Sequence, residues 1–148
     1  MLQDRLRINL TDDDVDDRLF FEEAINDLKM NTELTTFCHG EELMEFLNAN
    51  LANKPDLIFL DLNMPIMNGM ECLQQIKSSP LLKDIVVAIY STSSSEKDIE
   101  DTFIKGADIY LTKPSSFTEL KNAIQRVLKM NWQYHTSSLN KENFLLRV

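Results

Sequence analysis

The chain has 148 residues, 43% of them hydrophobic and 26% charged, with a formal net charge of −9 at pH 7. That length fits one domain with a substantial core, and the acidic balance excludes the basic face that nucleic-acid binding needs. No apolar run could span a bilayer and the opening MLQDRLRINL lacks a signal-peptide core, so a cytoplasmic protein with no membrane partner and no direct nucleic-acid partner is expected.

Strand-like and helix-like segments alternate from the start. Residues 6–10 read as a short strand that ends in an acidic cluster. Residues 16–30 read as a helix, with Phe21, Ala24, Ile25 and Leu28 at helical spacing and acids at its start, where the helix dipole favours them. Residues 34–37 form a weaker second strand. Residues 41–51 form a helix with Leu43, Phe46 and Leu47 on one side. Residues 56–60, DLIFL, are largely a continuous apolar run, as expected of a strand covered on both faces. Residues 70–78 read as a short helix and 85–90, IVVAIY, as another buried strand. Residues 96–105 read as a helix, 108–111 as a short strand, and 116–130 as the last helix, with Phe117, Leu120, Ile124 and Val127 inward. Cys38 and Cys72 are isolated and read as reduced thiols. The segment 131–148, with Trp132, Tyr134, His135 and Phe144-Leu145-Leu146, departs from the alternation. It could be a mobile end, a cap on the domain or a contact surface.

Five β/α pairs imply an α/β fold: a doubly wound parallel sheet between two helical layers. The natural strand order is the flavodoxin-like 2-1-3-4-5, with ligands at the carboxyl ends of the strands. Those ends carry Asp12-Asp13-Asp14, then Asp61, then Ser91 and Thr92, then Lys113-Pro114. Carboxylates gathered on one edge repel one another and raise each other's pKa values, unless a hard divalent cation offsets them. Magnesium suits such a site, since it takes one or two carboxylates and shares phosphate oxygens. Each residue alone has an ordinary explanation as a cap, a turn or a surface charge. Together they are the parts of phosphoryl transfer: a carboxylate nucleophile, a metal site, a hydroxyl and a cation.

The ordered set, and above all LDLNMPIMNG within residues 56–77, resembles the receiver domains of bacterial two-component response regulators, the CheY-like family. The resemblance covers about residues 5–130. It implies that Asp61 is the phosphoacceptor, phosphorylated by a histidine kinase or phosphotransfer protein. It implies that Asp13 and Asp61 bind Mg²⁺ directly, with Asp12 assisting and the backbone carbonyl of Asn63 completing the protein ligands. Ser91, beside Thr92, engages the phosphoryl group; Lys113 pairs with Asp61 and then with a phosphoryl oxygen; Tyr110 turns inward as Ser91 moves. The Lys113–Pro114 bond is a candidate for the cis form, and Gly69 and Gly106 for turns with positive φ. Three features depart from the family pattern: Thr11 stands where an apolar residue is common, Ser91 where Thr is more frequent, and Asp14 is a third acid expected to cap the first helix. Extra residues are expected around 51–54.

The resemblance implies a signalling phosphoacceptor rather than an enzyme acting on a separate substrate. Residues 1–130 make the receiver, and 131–148 make an extension too short for an output domain. Output therefore runs through a downstream protein partner, with the switching surface over residues 96–130, and the extension could add a homodimer contact. A Mg²⁺-dependent phosphohydrolase would place a second acid where Asn63 stands. A flavodoxin would place its hydroxyl-rich phosphate loop after the first strand, where the acids are.

Overall fold

The computed structural model describes residues 5–130 and 144–146. The elements run β1 (Leu6–Thr11), α1 (Val15–Leu28), β2 (Thr32–Phe37), α2 (Gly40–Ala49), β3 (Leu57–Leu60), α3 (Gly69–Ser78), β4 (Val86–Ser91), α4 (Glu96–Ile104), β5 (Ile109–Thr112), α5 (Phe117–Leu128) and β6 (Leu145–Leu146). The expected extra residues form a 3-10 turn, Leu51–Asn53. No helix among the described residues is long and apolar enough to cross a membrane.

All pairings are parallel, in the order β2-β1-β3-β4-β5-β6. The five expected strands take their expected order. The sixth is a correction: Leu145 and Leu146 pair with Tyr110 and Leu111 on the outer side of β5. Two leucines are too short a run to give a periodic signal, and a neighbouring strand edge supplies the missing backbone partners.

Alternation along the strands divides the core in two. Ile58, Leu60, Val87, Ile89 and Tyr110 point to one face and pack beneath α2, α3 and α4. Leu57, Phe59, Val86, Ala88, Tyr90, Ile109 and Leu111 point to the other, under α1 and α5. On that face Phe21, Phe59 and Tyr90 meet edge to face, with ring centroids 4.8–6.3 Å apart. The buried polar residues of β1 are paired. Thr11 donates to Asn9 Oδ1 (2.7 Å), and Asn9 donates to Thr35. The unusual Thr11 is therefore satisfied within the sheet.

Helix starts follow local chemistry. Asp14 accepts from the backbone amides of Asp16 and Asp17, which is the capping role expected of the third acid. Asn68 and Glu71 form a reciprocal capping box at α3. Gly106 has φ of 100°, as expected. Gly69 is a correction, since it is not among the positive-φ residues. It is required for space: a Cβ there would lie 2.1 Å from the Asp61 carbonyl oxygen. The left-handed position in that loop belongs to Ile66 instead, at φ 68° and largely exposed.

Candidate functional site

Backbone pairing sets the site. The Asp12 amide donates to the Phe37 carbonyl and the Asp61 amide to the Thr11 carbonyl, each at 3.0 Å. The ends of β1 and β3 thus hold Asp12 and Asp61 side by side. Arg18 on α1 steadies the turn by donating to the Asp12 carbonyl at 2.7 Å. Carboxylate oxygens of Asp12, Asp13 and Asp61 lie within 4.8 Å of one another, with Asp12 and Asp61 buried and Asp13 exposed. Asn63 is exposed, two residues beyond Asp61.

Lys113 reaches this cluster from the end of β5, its amide anchored on the Ser91 carbonyl at 2.8 Å. Its ammonium lies 2.7 Å from Asp12 Oδ2, 2.7 Å from Asp17 Oδ2 and 3.8 Å from Asp61 Oδ1. The expected pairing with Asp61 is therefore the loosest of the three. Asp12 and Asp17 hold the amine because two full carboxylate contacts outweigh one distant one. Sequence reasoning missed Asp17, which sits in the first turn of α1 among acids already explained by the helix dipole. Its signal was its place three residues after the capping Asp14, on the turn beside the strand ends. The Lys113–Pro114 bond is trans, like every peptide bond among the described residues. Trans is the ground state of an X-Pro bond by about 0.5–1 kcal/mol, and the Lys113 contacts are all made with it in place.

Burial pushes the Asp61 carboxyl up to about 7; Lys113 pulls it down, Asp12 and Asp13 raise it, and the Asn63 backbone lowers it. Burial alone pulls the Lys113 amine down, yet its contacts with Asp12 and Asp17 and the charges of Asp61 and Asp12 leave it raised. Asp12 Oδ2 is fully buried, and among the described residues the charge that faces it is the Lys113 ammonium at 2.7 Å. Three carboxylates with oxygens within 4.8 Å of one another carry more negative charge than that ammonium offsets, which suits a hard divalent cation. The donor set therefore fits a divalent cation.

Ser91 is fully buried at the end of β4, and Thr92 is exposed beside it. Ser91 Oγ accepts from the Ser93 amide at 3.1 Å. The Tyr110 hydroxyl donates to the Ser93 carbonyl at 2.8 Å. Tyr110 is wholly buried, and burial raises its pKa against the bonds to Ser93 and Ser91. The sequence-identified residues Asp12, Asp13, Asp61, Ser91 and Lys113 thus meet on one edge, with Tyr110 behind Ser91. The end of β2, which sequence reasoning passed over, carries a different group: Cys38, His39 and Glu42, where the Cys38 thiol donates to Glu42 at 3.2 Å. A groove of about 900 Å³ along α2 is lined by His39, Glu42, Met44 and Met67 but by none of the strand-end carboxylates.

Comparison with known proteins gives a consistent result. The response regulator receiver domain model matches residues 8–125. The response regulator Rcp1 of Synechocystis sp. is 32% identical over 124 residues, which cover 81% of this chain and 84% of that protein. The chain spans a smaller part of other curated relatives. It covers 37% of the nitrate/nitrite response regulator NarL of Escherichia coli (strain K12), with 59% of this chain matched at 41% identity. Among solved structures, the phosphorylated cyanobacterial phytochrome response regulator RcpA is similar with a TM-score of 0.77. It is 35% identical, with 84% of this chain and 91% of that chain covered. The Mn²⁺-bound form of Rcp1 has a TM-score of 0.74 at 31% identity, covering 82% and 90%.

Proposed function

We propose, for a chain that belongs to the response regulator receiver domain family, that Asp61 is the phosphoacceptor and that its phosphorylation switches contacts with protein partners. The observation that carries this reading is the buried Asp61, raised to about 7 beside two further carboxylates and a lysine at one sheet edge. A group tuned this way is ionised for attack once positive charge arrives, and is poorly satisfied until it does.

A phosphohistidine on a histidine kinase or phosphotransfer protein is the donor. An Asp61 carboxylate oxygen attacks phosphorus; the new P–O bond forms as the P–N bond breaks, and the imidazole nitrogen keeps the electron pair. Asp13, Asp61 and the Asn63 carbonyl, with Asp12 assisting, would hold Mg²⁺, which would supply charge neutralisation for the phosphoryl oxygens. Lys113 supplies a second cation, moving from Asp12 and Asp17 toward a phosphoryl oxygen. The Ser91 hydroxyl, with Thr92 at the rim, donates to another. Leaving its bond from the Ser93 amide, Ser91 shifts the loop that Tyr110 is tied to, and the face of α4, β5 and α5 changes with it. The chain's own chemistry is acceptance and loss of this one group. A cytoplasmic location and a downstream protein partner belong to the same reading.

The test is incubation of the full chain with Mg²⁺ and acetyl phosphate, followed by intact mass measurement. One phosphoryl adduct is expected on the wild type and none on Asp61→Asn. An equal adduct on both, or none on either, overturns the assignment. Replacing Mg²⁺ with a chelator is expected to abolish the adduct.

A further inference from the structure

Residues 144–146 occupy a site built into the face that responds to Asp61. Phe144 is wholly buried and belongs to the core under α2, α3 and α4. Its ring lies 5.2 Å from that of Phe103 on α4 and 6.1 Å from that of Tyr110 on β5. Leu145 and Leu146 extend the sheet beside Tyr110 and Leu111. Tyr110 is bonded through its hydroxyl to the Ser93 carbonyl, and the Ser93 amide to Ser91 Oγ. A path of contacts thus runs from Ser91 through Ser93 and Tyr110 to Phe144, and it begins at the end of β4, the strand paired with the β3 that leads to Asp61.

We propose that the cleft between α4 and the edge of β5 is a docking site for the chain's own segment 144–146, and that occupancy of this site and phosphorylation of Asp61 reinforce each other. The proposal rests on the roles given above to Asp61, Ser91 and Tyr110. Its sign comes from geometry. With the segment docked, Tyr110 is sealed inward: Phe144 lies against its ring and β6 covers the open side of its strand. Outward rotation requires this seat to be vacated. In the role given to Tyr110 above, the inward ring accompanies the turn of Ser91 to a phosphoryl group, so the docked segment selects the state that phosphorylation needs. Linkage makes the effect mutual: whatever factor the segment adds to the affinity for a phosphoryl group, the phosphoryl group adds to the docking of the segment.

The test uses the full chain with Mg²⁺ and beryllofluoride, a phosphoryl mimic, and compares wild type with Phe144→Ala. Ile25→Ala serves as control, a core truncation on the opposite face of the sheet. Beryllofluoride is expected to slow amide exchange at 144–146 in the wild type. Phe144→Ala is expected to weaken beryllofluoride binding about five-fold or more, within the usual range of coupling between sites. Ile25→Ala is expected to leave that affinity unchanged. Unchanged exchange at 144–146 overturns the proposal, as does faster exchange, equal affinity in Phe144→Ala, or an equal loss in Ile25→Ala. An effect that disappears on dilution places the segment on a second copy and overturns the intramolecular form. A wild type that is phosphorylated but shows no response at 144–146 defeats this inference alone. A wild type that neither binds beryllofluoride nor accepts a phosphoryl group defeats the phosphoacceptor reading, and this inference with it.

Discussion

Lys113 divides one positive charge among Asp12, Asp17 and Asp61, and burial of Asp61, which that shared charge only partly offsets, sets the pH behaviour of the site. Asp61 is raised from 3.8 to about 7 by burial. An acid raised on folding binds a proton more tightly in the native state. Its stabilising contribution is therefore present below about pH 4 and is lost as pH rises through about 7. We predict that the cation-free protein loses stability over that window, measured by urea unfolding at stepped pH. Asp61→Asn is expected to flatten the dependence and to stabilise the protein at pH 8 by about 1–2 kcal/mol. A slope unchanged in Asp61→Asn would assign the effect elsewhere. Lys113 is the leading influence that lowers the Asp61 pKa, so Lys113→Ala is expected to fold while its Asp61 midpoint moves above about 7. Carboxyl carbon NMR reads that midpoint directly. Ile66 is a separate residue-scale case. A β-branched side chain at φ 68° is strained by about 1–2 kcal/mol, and Ile66→Asn is expected to recover roughly 1 kcal/mol in the same unfolding assay. Destabilisation there would mean that the exposed side chain makes contacts worth more than the strain.

Among the elements, the loop from β3 to α3 is tightly constrained. Its final residue, Gly69, opens α3 directly against the Asp61 carbonyl. Gly69→Ala would press a methyl group into backbone, which cannot yield as a flexible side chain does. A loss of about 3 kcal/mol or more is expected, with weakened divalent-cation binding because Asp61 must shift. Near-native stability in that variant would show that α3 can slide away from the site. This loop also marks where sequence reasoning succeeds and stops. The run NMPIMNG announced a turn and a phosphoacceptor, since Pro65 and Gly69 break the pattern on either side. It did not reveal which residue takes the left-handed conformation, because that depends on how α3 seats against β3. Asp17 was hidden for a related reason. An acid in a helix's first turn is explained locally, and only the closure of β5 beside β4 brings Lys113 to it, across 96 positions of sequence.

At the scale of the whole molecule, most of the fold was legible because it rests on periodicity. Buried strands such as LIFL and VVAIYS are covered on both faces, and alternating βα units allow few topologies. The site was legible with it, since parallel strands deliver all their carboxyl ends to one edge. What periodicity could not carry was β6, a strand of two residues whose partner alone defines it. That small strand has a bearing on colloidal behaviour. Without it, β5 would close the sheet as an edge of bare backbone donors and acceptors flanked by buried apolar residues, a template for pairing between molecules. The opposite edge, β2, is half-exposed and carries Glu33 and three threonines, which discourage such pairing. Two leucines at the far end of the chain thus act as a selvedge, finishing the one side of the sheet that its composition leaves unprotected. Chain shortened to residue 130 is expected to scatter light increasingly with concentration, while the 148-residue chain under the same conditions stays clear.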